Sequence, residues 1–339
     1  MRIPKPKAQF LALGLFLVFI GCHPRDQKAP GSETVHLVFK HGKIAGDPAI
    51  FRDLLNRFEK LHPGIKVKDE TLPASTDEQH QFYVINLEGG SSDFDVLSLD
   101  VIWVPEFARA GWLRDLSGLF SEGQRKDFFS GPMEAVTFNG SAYACPWYID
   151  AGVLYYRKDL LQKYGFSPPV TWPELVSTAQ TITAREKGLV GFVWQGKQYE
   201  GLVCNVLEYI WSNGGEILKK DQVCLLSPEN IQALRFMKDL IHSYKITPPL
   251  VTPAPEASPR QRCGNGRAWF MRTGPSAWTL VARPGSADKG RVGISSLPSF
   301  PGHQSASTLG GWQLGINAFS KYPLAAEKLV LFLTGPEAQ

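Results

Sequence analysis

The sequence predicts an α/β protein with two domains, and three observations support this prediction. Predicted strands and helices alternate from residue 35 onward, an order that gives parallel strand pairing through right-handed crossovers. More than 300 of the 339 residues follow an N-terminal export signal, which is more than one hydrophobic core usually supports. A hydrophobic content of 43% and a charged content of 20% are typical of a globular chain.

The N-terminus has the pattern of a secretory signal. Basic residues precede an apolar run over residues 10–21, which is too short to span a bilayer as a helix. The sequence FIGC at 19–22 resembles a bacterial lipobox, with Phe where Leu is usual. We therefore expect a signal peptide over residues 1–21, a lipidated Cys22 and a tether over 22–33. Ordinary signal cleavage beside an incidental cysteine is the alternative.

The first elements alternate regularly between strand and helix. They are predicted as a strand over residues 35–39, a helix over 50–61, a strand from 65, a helix over 79–87 and a strand over 95–99. Asp100 follows the last of these strands directly. Ligands of open α/β sheets bind beyond the carboxyl ends of strands, so Asp100 is a candidate ligand-binding residue.

Caps and chain breakers define the later elements. Thr171 and Glu174 have the spacing of a capping box that opens a helix. The proline-rich residues 248–259 predict an extended loop. The remaining predicted elements are strands over 153–156 and 313–316 and helices over 201–211, 229–244 and 324–333.

The segment 146–161 places aromatic rings beside a carboxylate. Trp147 and Tyr148 precede Asp150, which lies at a junction between predicted elements. A sugar has apolar C–H faces that a ring can cover and hydroxyls that donate to carboxylates, and a hydrogen bond to a charged acceptor contributes about 1.5–3 kcal/mol. The segment therefore favours sugar binding. Packing of both rings at the end of a buried strand is the alternative.

A second aromatic position follows two glycines. Gly310 and Gly311 precede Trp312 at the start of a predicted strand. Glycines let the backbone approach a ligand or a ring closely, and the indole offers a flat face. A core tryptophan in a tight turn is the alternative.

Other chemistries are disfavoured. Residues 191–198 (GFVWQGKQ) nearly match a phosphate-binding loop, but Gln198 replaces the hydroxyl that would hold magnesium, and Trp194 crowds the loop. There is no CxxC or HExxH spacing, so neither a metal nor a cofactor is expected. With a net charge of +4 and no basic block, nucleic acid binding is not indicated.

Four cysteines follow Cys22, namely Cys145, Cys204, Cys224 and Cys263. An exported chain can form disulfides. A bond between Cys204 and Cys224 is conceivable, but the sequence leaves the pairing open.

These features together resemble the substrate-binding proteins of bacterial ABC sugar importers, the extracellular solute-binding protein family 1, and most closely its trehalose- and maltose-binding members. The resemblance covers about residues 35–339. It is carried by PWYIDAGVLYYRKDLL (146–161), GFVWQGKQYEGLVC (191–204), SNGG (212–215), FPGH (300–303) and TLGGWQLGI (308–316).

The resemblance implies a type II periplasmic-binding-protein fold, in which two α/β lobes joined by hinge strands close on a sugar. The N-terminal lobe would comprise residues 34–146 and 309–339, and the C-terminal lobe residues 147–308. Family members continue beyond residue 339, so we expect the C-terminal part of the fold to be missing, as in a fragment or a truncated gene product.

The resemblance also implies the ligand-binding residues. The positions that match are Asp100, Tyr148, Asp150, Gly311 and Trp312, with Asp47 and Trp278 as further candidates. Where the family has a stacking tryptophan, this chain has Gly274. Loss of such an anchor can cost about 2 kcal/mol, which implies a ligand that is bulkier, or bound less tightly, than trehalose or maltose.

The sequence therefore predicts a sugar-binding component of an ABC importer without catalytic activity of its own. Its expected partners are a sugar, the membrane permease subunits and the membrane through a lipid anchor, and we expect a monomer in the periplasm or at the cell surface. Two alternatives remain. One is a secreted glycoside hydrolase that uses Asp100 and Asp150 as acid and base, and the other is a remnant that no longer binds a ligand.

Overall fold

The computed structural model describes residues 34–44, 47–120, 122–254 and 268–339. The predictions for the signal peptide, Cys22, the tether and Cys263 lie outside these residues, as does the end of the proline-rich loop. Among the helices that the structure describes, none is both long and apolar enough to cross a membrane.

The secondary structure is mixed α/β. The strands are β1 (Val35–His41), β2 (Ile65–Thr71), β3 (Val96–Asp100), β4 (Thr137–Phe138), β5 (Ser141–Ala142), β6 (Ala144–Ala151), β7 (Val153–Arg157), β8 (Val190–Val193), β9 (Leu218–Lys219), β10 (Gln222–Val223), β11 (Ala268–Thr273), β12 (Val292–Ser295) and β13 (Leu309–Ile316). The α-helices are α1 (Pro48–Leu61), α2 (Thr76–Glu88), α3 (Val104–Arg109), α4 (Glu122–Arg125), α5 (Ser130–Ala135), α6 (Lys158–Tyr164), α7 (Trp172–Arg185), α8 (Glu200–Trp211), α9 (Pro228–His242), α10 (Trp278–Ala282) and α11 (Pro323–Leu333).

The first large sheet has five strands in the order β2-β1-β3-β13-β6. The pairs β1–β2 and β1–β3 are parallel, as the alternation of strands and helices predicts. In contrast, β13 pairs antiparallel with both β3 and β6. The parallel prediction therefore does not extend to these strands, because β13 enters the sheet from a distant part of the chain rather than through a local helical crossover.

Helices cover both faces of the five-stranded sheet. On β3, Val96 belongs to a hydrophobic cluster with residues of α1 and α11, whereas Leu97 and Leu99 belong to a cluster with residues of α2 and α3. A strand that is buried on both faces has a nearly continuous apolar sequence. This explains why β3, and with it the position of Asp100, is predictable from the sequence.

The second large sheet has four strands in the order β12-β7-β11-β8. The strand β7 is antiparallel to β11 and β12, and β11 is parallel to β8. On one face, α7, α8 and α9 pack around Trp172 and Tyr209, whose ring centroids are 4.4 Å apart. The predicted capping box of Thr171 and Glu174 is formed at the start of α7.

The chain crosses between the two sheets twice within the described residues. The first crossing is at Gly152, between β6 and β7, and the second joins β12 to β13. We call residues 151–153 the first crossing segment and residues 307–309 the second. Each sheet has its own hydrophobic clusters, so the described chain has two lobes.

Three local predictions need correction. Asp150 lies within β6 rather than at a junction between elements. Residues 249–251, in the proline-rich stretch, form a 3₁₀ turn instead of an extended loop. The conceivable bond between Cys204 and Cys224 is not formed, since both are free thiols. The Cys204 thiol instead donates to Oε1 of Glu200 at 2.8 Å.

Candidate functional site

Three predicted site residues form a row across neighbouring strands. In the pairing of β13 with β3 and β6, Trp312 lies opposite Asp100 on one side and Tyr148 on the other. Residues directly opposite each other in a sheet project from the same face. The row is accessible, because Asp100 and Trp312 are half-buried and Tyr148 is exposed. One face of the sheet therefore presents a carboxylate, an indole and a phenol side by side.

A β-bulge separates Tyr148 from its aromatic neighbour. The register between β13 and β6 shifts between Trp312 and Gln313, so that Gln313 pairs with Pro146 and Trp147 has no partner in the register. The Trp147 side chain is buried and its ring centroid lies 5.8 Å from that of Phe39. The packing alternative is therefore right for Trp147, whereas Tyr148 is available to a ligand.

Gly311 allows β13 to approach β6 closely. Its φ of +126° is in the region that side chains rarely adopt. A Cβ atom at this position would lie 2.9 Å from Cα of Ile149 and closer still to the carbonyl oxygen of Tyr148. The glycine is thus required by the backbone of the neighbouring strand, and this close approach aligns Trp312 with Tyr148.

The carboxylate of Asp150 lies against Gly274. A Cβ atom at residue 274 would lie 2.7 Å from Oδ2 and 2.8 Å from Cγ of Asp150. The backbone N–H of Ala151 donates to Oδ1 of Asp150 at 3.0 Å. The absence of a side chain at Gly274, which the sequence suggested would weaken the site, therefore provides the space that Asp150 occupies.

Asp100 is electrostatically unusual. It ends β3 and caps the following 3₁₀ turn, where its Oδ1 accepts from the N–H of Ile102 at 3.4 Å. Burial, then the negative charge of Glu200 and, more weakly, that of Asp150 raise the pKa of Asp100 to about 7. Three carboxylates are therefore close enough to interact, and Glu200 comes from the other lobe.

Glu200 was not predicted as a site residue. It begins α8, a few residues after the carboxyl end of β8, so the rule that selected Asp100 applies to it as well. The preceding residues 191–198 nearly match a phosphate-binding loop, a motif that is defined by glycines, a lysine and a hydroxyl and not by a carboxylate. A carboxylate after the end of a strand is the signal that identifies Glu200.

The two further candidates, Asp47 and Trp278, lie at the starts of helices rather than on the three strands of the row. Asp47 is exposed and caps α1, where its Oδ1 accepts from the N–H of Ala49 at 2.9 Å. Trp278 begins α10 and is 45% exposed. Among the described residues, no hydrogen bond or ring contact links either side chain to Asp100 or Trp312. Likewise, within the described ranges, no group of three His, Cys, Asp or Glu side chains is arranged to hold a metal ion.

Two α/β lobes connected by crossing segments, with a carboxylate and aromatic rings at the strand ends, define a two-lobed periplasmic-binding-protein fold. The chain belongs to the bacterial extracellular solute-binding protein family, whose model matches residues 42–339. The resemblance stated from the sequence is thereby confirmed.

Solved structures agree with this fold. Maltose-bound MalE3 of T. maritima is 45% identical to this chain with a TM-score of 0.85, and the match covers 90% of this chain and 78% of that one. A solute-binding protein of an ABC transporter from Thermotoga lettingae TMO, bound with alpha-D-tagatose, is 27% identical with a TM-score of 0.79 and the same coverage.

A curated relative has a transport-related name. The "probable ABC transporter-binding protein" of Deinococcus radiodurans is 40% identical over 283 residues, which are 81% of this chain and 66% of that protein. The chain thus spans about two thirds of the length of this relative.

Proposed function

We propose that this protein is the substrate-binding component of an ABC transporter for sugar uptake. The row of Asp100, Trp312 and Tyr148 carries this proposal, because it joins a hydrogen-bond acceptor to apolar faces on one surface. Asp150 beside Gly274 adds a second carboxylate. Sugar hydroxyls would donate to the carboxylates while the rings of Trp312 and Tyr148 cover the C–H faces. The family to which the chain belongs supports binding rather than catalysis.

We propose a disaccharide or a short oligosaccharide, such as maltose or trehalose, as the ligand. The greater identity to a maltose-bound protein, 45% against 27% for the tagatose-bound one, supports this choice. The row offers two rings and one carboxylate along three adjacent strands. Neighbouring strands lie roughly 4.8 Å apart, so the row is about 10 Å long, a span suited to two sugar rings.

The proposal includes the remaining sequence predictions. The sequence predicted the lobe boundary between residues 146 and 147, but β6 continues in the first sheet to Ala151. We therefore propose an N-terminal lobe of residues 34–151 and 309–339 and a C-terminal lobe of residues 153–308, joined at Gly152. Closure on the sugar would present both lobes to the permease subunits. Export and lipidation at Cys22 would hold the protein, as a monomer, at the outer surface of the membrane, in the periplasm or at the cell surface.

Calorimetric titration of the exported chain with maltose, trehalose, maltotriose and tagatose tests the proposal. We expect saturable heat with at least one of the three glucosides. Asp150→Ala removes a charged acceptor and should raise the Kd by roughly tenfold to 150-fold. The matched control Asp221→Asn changes an exposed aspartate of the β9–β10 hairpin and should leave the Kd unchanged. Absence of heat with every sugar would refute the proposal.

A glycoside hydrolase is the second candidate, and one observation favours it. The pKa of Asp100, raised to about 7 by burial, Glu200 and Asp150, suits a general acid near an ionised partner. Chromatography of maltose and maltotriose after prolonged incubation distinguishes the two functions. Release of glucose that is abolished by Asp100→Asn and by Asp150→Asn would support the hydrolase, whereas intact sugar with measurable binding supports the transport component.

A further inference from the structure

A bidentate ion pair is buried in the second lobe. Nε and Nη2 of Arg272 on β11 donate to the two carboxylate oxygens of Glu208 on α8, at 2.6 and 2.5 Å. Nη1 of Arg272 donates to Oε1 of Gln195 at 2.7 Å. Glu208 and Arg272 are 1% and 7% exposed. Neither residue belongs to the row that would contact the sugar.

The pair contacts both crossing segments. Oε1 of Glu208 accepts from the backbone N–H of Thr308 at 3.1 Å. Gly152 packs directly on the pair, because a Cβ there would lie 2.7 Å from Cδ of Glu208 and 2.8 Å from Nη2 of Arg272. The hydroxyl of Ser307 donates to the carbonyl of Gly152 at 2.6 Å and ties the two segments together. One carboxylate thus holds the chain at both passages between the lobes.

The same arginine acts on a predicted ligand residue. Arg272 lies in β11 two residues before Gly274, which directly follows the last residue of that strand. Gly274 borders the carboxylate of Asp150. Burial lowers the pKa of Arg272, but the hydrogen bonds and attraction to Glu208 and, more weakly, the attraction to Asp150 outweigh burial and raise this pKa. The guanidinium therefore attracts Asp150 while its hydrogen bonds are directed to Glu208 and Gln195.

Stability alone is a weak reason for such a pair. Two buried charges lose their hydration, and well-packed apolar side chains of similar volume are often as stable. What the ion pair adds is fixed geometry, since the planar guanidinium permits one bidentate arrangement with a carboxylate. At this position, the ion pair contacts both crossing segments, and the chain leads from Arg272 directly to Gly274, which borders Asp150.

We propose, on the basis of the sugar-binding function proposed above, that Glu208 and Arg272 are positioning residues. Their ion pair fixes Asp150 in its place beside Gly274 and holds both crossing segments against the second sheet.

The test uses Arg272→Lys, which keeps the charge and loses the fork, and Glu208→Gln, which keeps the shape and loses the charge. Gly152→Ala displaces the pair without changing either partner. For each variant that is folded by circular dichroism, we expect the Kd for the sugar bound by the parent chain to rise about tenfold or more, because a misplacement of roughly 1 Å is that costly at a binding site.

Arg157→Lys is the matched control. Arg157 is also buried and bidentate, with Nε and Nη2 donating to Asp159 at 2.8 and 2.6 Å at the end of β7. Its loss should lower the melting temperature in the same way while changing the Kd by less than about twofold. If Arg157→Lys folds and none of the other three variants does, the pair is structural and the proposal is wrong.

A double-mutant cycle separates positioning from stability. If Arg272 acts through Asp150, then Arg272→Lys in an Asp150→Ala background should change the Kd by less than about twofold. The proposal is contradicted if the double variant raises the Kd by the product of the factors measured for the two single variants. It is also contradicted if folded Arg272→Lys and folded Glu208→Gln bind the sugar with the Kd of the parent chain.

A crystal structure of unliganded Arg272→Lys provides a readout without sugar. We expect the Asp150 carboxylate to be displaced from Gly274, and an unmoved carboxylate overturns the proposal. If the parent chain binds no sugar but Asp150 moves in this variant, then the transport function fails while the positioning role stands.

Discussion

The substitution Gly274→Ala tests whether Asp150 must occupy its observed place to bind a sugar. The φ of Gly274 is −75°, so alanine introduces no backbone strain. Its Cβ, however, would lie 2.7 Å from Oδ2 and 2.8 Å from Cγ of Asp150, and Cβ contacts below 3.0 Å are essentially never seen. The backbone at this position is held in place, because the carbonyl oxygen of Gly274 accepts from the Tyr155 hydroxyl at 3.3 Å and from the N–H of Ala277 at 3.2 Å. The carboxylate must therefore move.

The size of the effect follows from hydrogen-bond geometry. A shift of roughly 1 Å takes a bond of about 2.7 Å beyond the distance at which it contributes. Loss of one hydrogen bond to a charged acceptor costs about 1.5–3 kcal/mol, so the Kd should rise roughly tenfold to 150-fold. Gly274→Trp, which restores the residue type of the resembling family, should weaken binding as well, since its Cβ displaces Asp150 in the same way.

Calorimetry with maltose or the glucoside that binds best measures the change. Gly310→Ala is the matched control, because its Cβ would lie at ordinary contact distances of 3.6 and 3.8 Å from the backbone oxygen and Cβ of Asp150. We expect its Kd within about twofold of the parent value. A Gly274→Ala variant that binds as tightly as the parent chain would refute the reasoning, because Asp150 would then tolerate displacement or have no contact with the sugar.

Three further predictions concern the row itself. The folded pKa of Asp100 is about 7, above the ordinary 3.8, so its contribution to stability is complete below about pH 4 and is lost as the pH rises through 7. Because each pKa unit corresponds to about 1.4 kcal/mol, Asp100→Asn should remove about 4 kcal/mol of this pH dependence in urea unfolding. An unchanged profile would contradict the raised pKa. Trp312→Leu should raise the sugar Kd by about thirtyfold. In contrast, Trp147→Leu should lower the free energy of unfolding by about 1–3 kcal/mol with little change in Kd. The reverse pattern would assign sugar contact to Trp147 and core packing to Trp312. Gly311→Ala should destabilise the protein by roughly 1–3 kcal/mol in thermal unfolding, because φ at this position is +126°. If the variant melts at the same temperature as the parent chain, then β13 can withdraw from β6 and the reasoning is wrong.

Local sequence signals predicted the elements that are buried on both faces or capped in a standard way. The apolar run of β3 and the capping box at Thr171 both correspond to what the structure shows. The same signals failed for β6, where Pro146 and the aromatic pair obscure an eight-residue strand. Its pairing partner β13 lies more than 150 residues further along the chain, and no local sequence pattern records which strands pair over such a separation.

The three members of the row could be predicted one by one from the sequence, but their arrangement could not. Asp100, Tyr148 and Trp312 could be nominated separately, while their common row depends on the register of β13 between two other strands. Gly274 shows the limit most clearly. From the sequence it was a missing aromatic ring, whereas in the structure it is the space for a carboxylate. Only the distance between residues 150 and 274 distinguishes these interpretations.

The acidic side chains connect recognition with closure. Asp100 and Asp150 belong to the first sheet, and Glu200 belongs to the second lobe. Nevertheless, Glu200 is the second-largest cause, after burial, of the raised pKa of Asp100. In the proposed sugar-binding site without a ligand, negative charge on these groups would repel and would oppose the approach of the lobes. Sugar hydroxyls that donate to carboxylates on both sides would replace this repulsion with charge-assisted hydrogen bonds. Closure would then depend on the ligand, as the proposed transport function requires, whereas a hydrolase requires one acid to remain protonated beside an ionised partner.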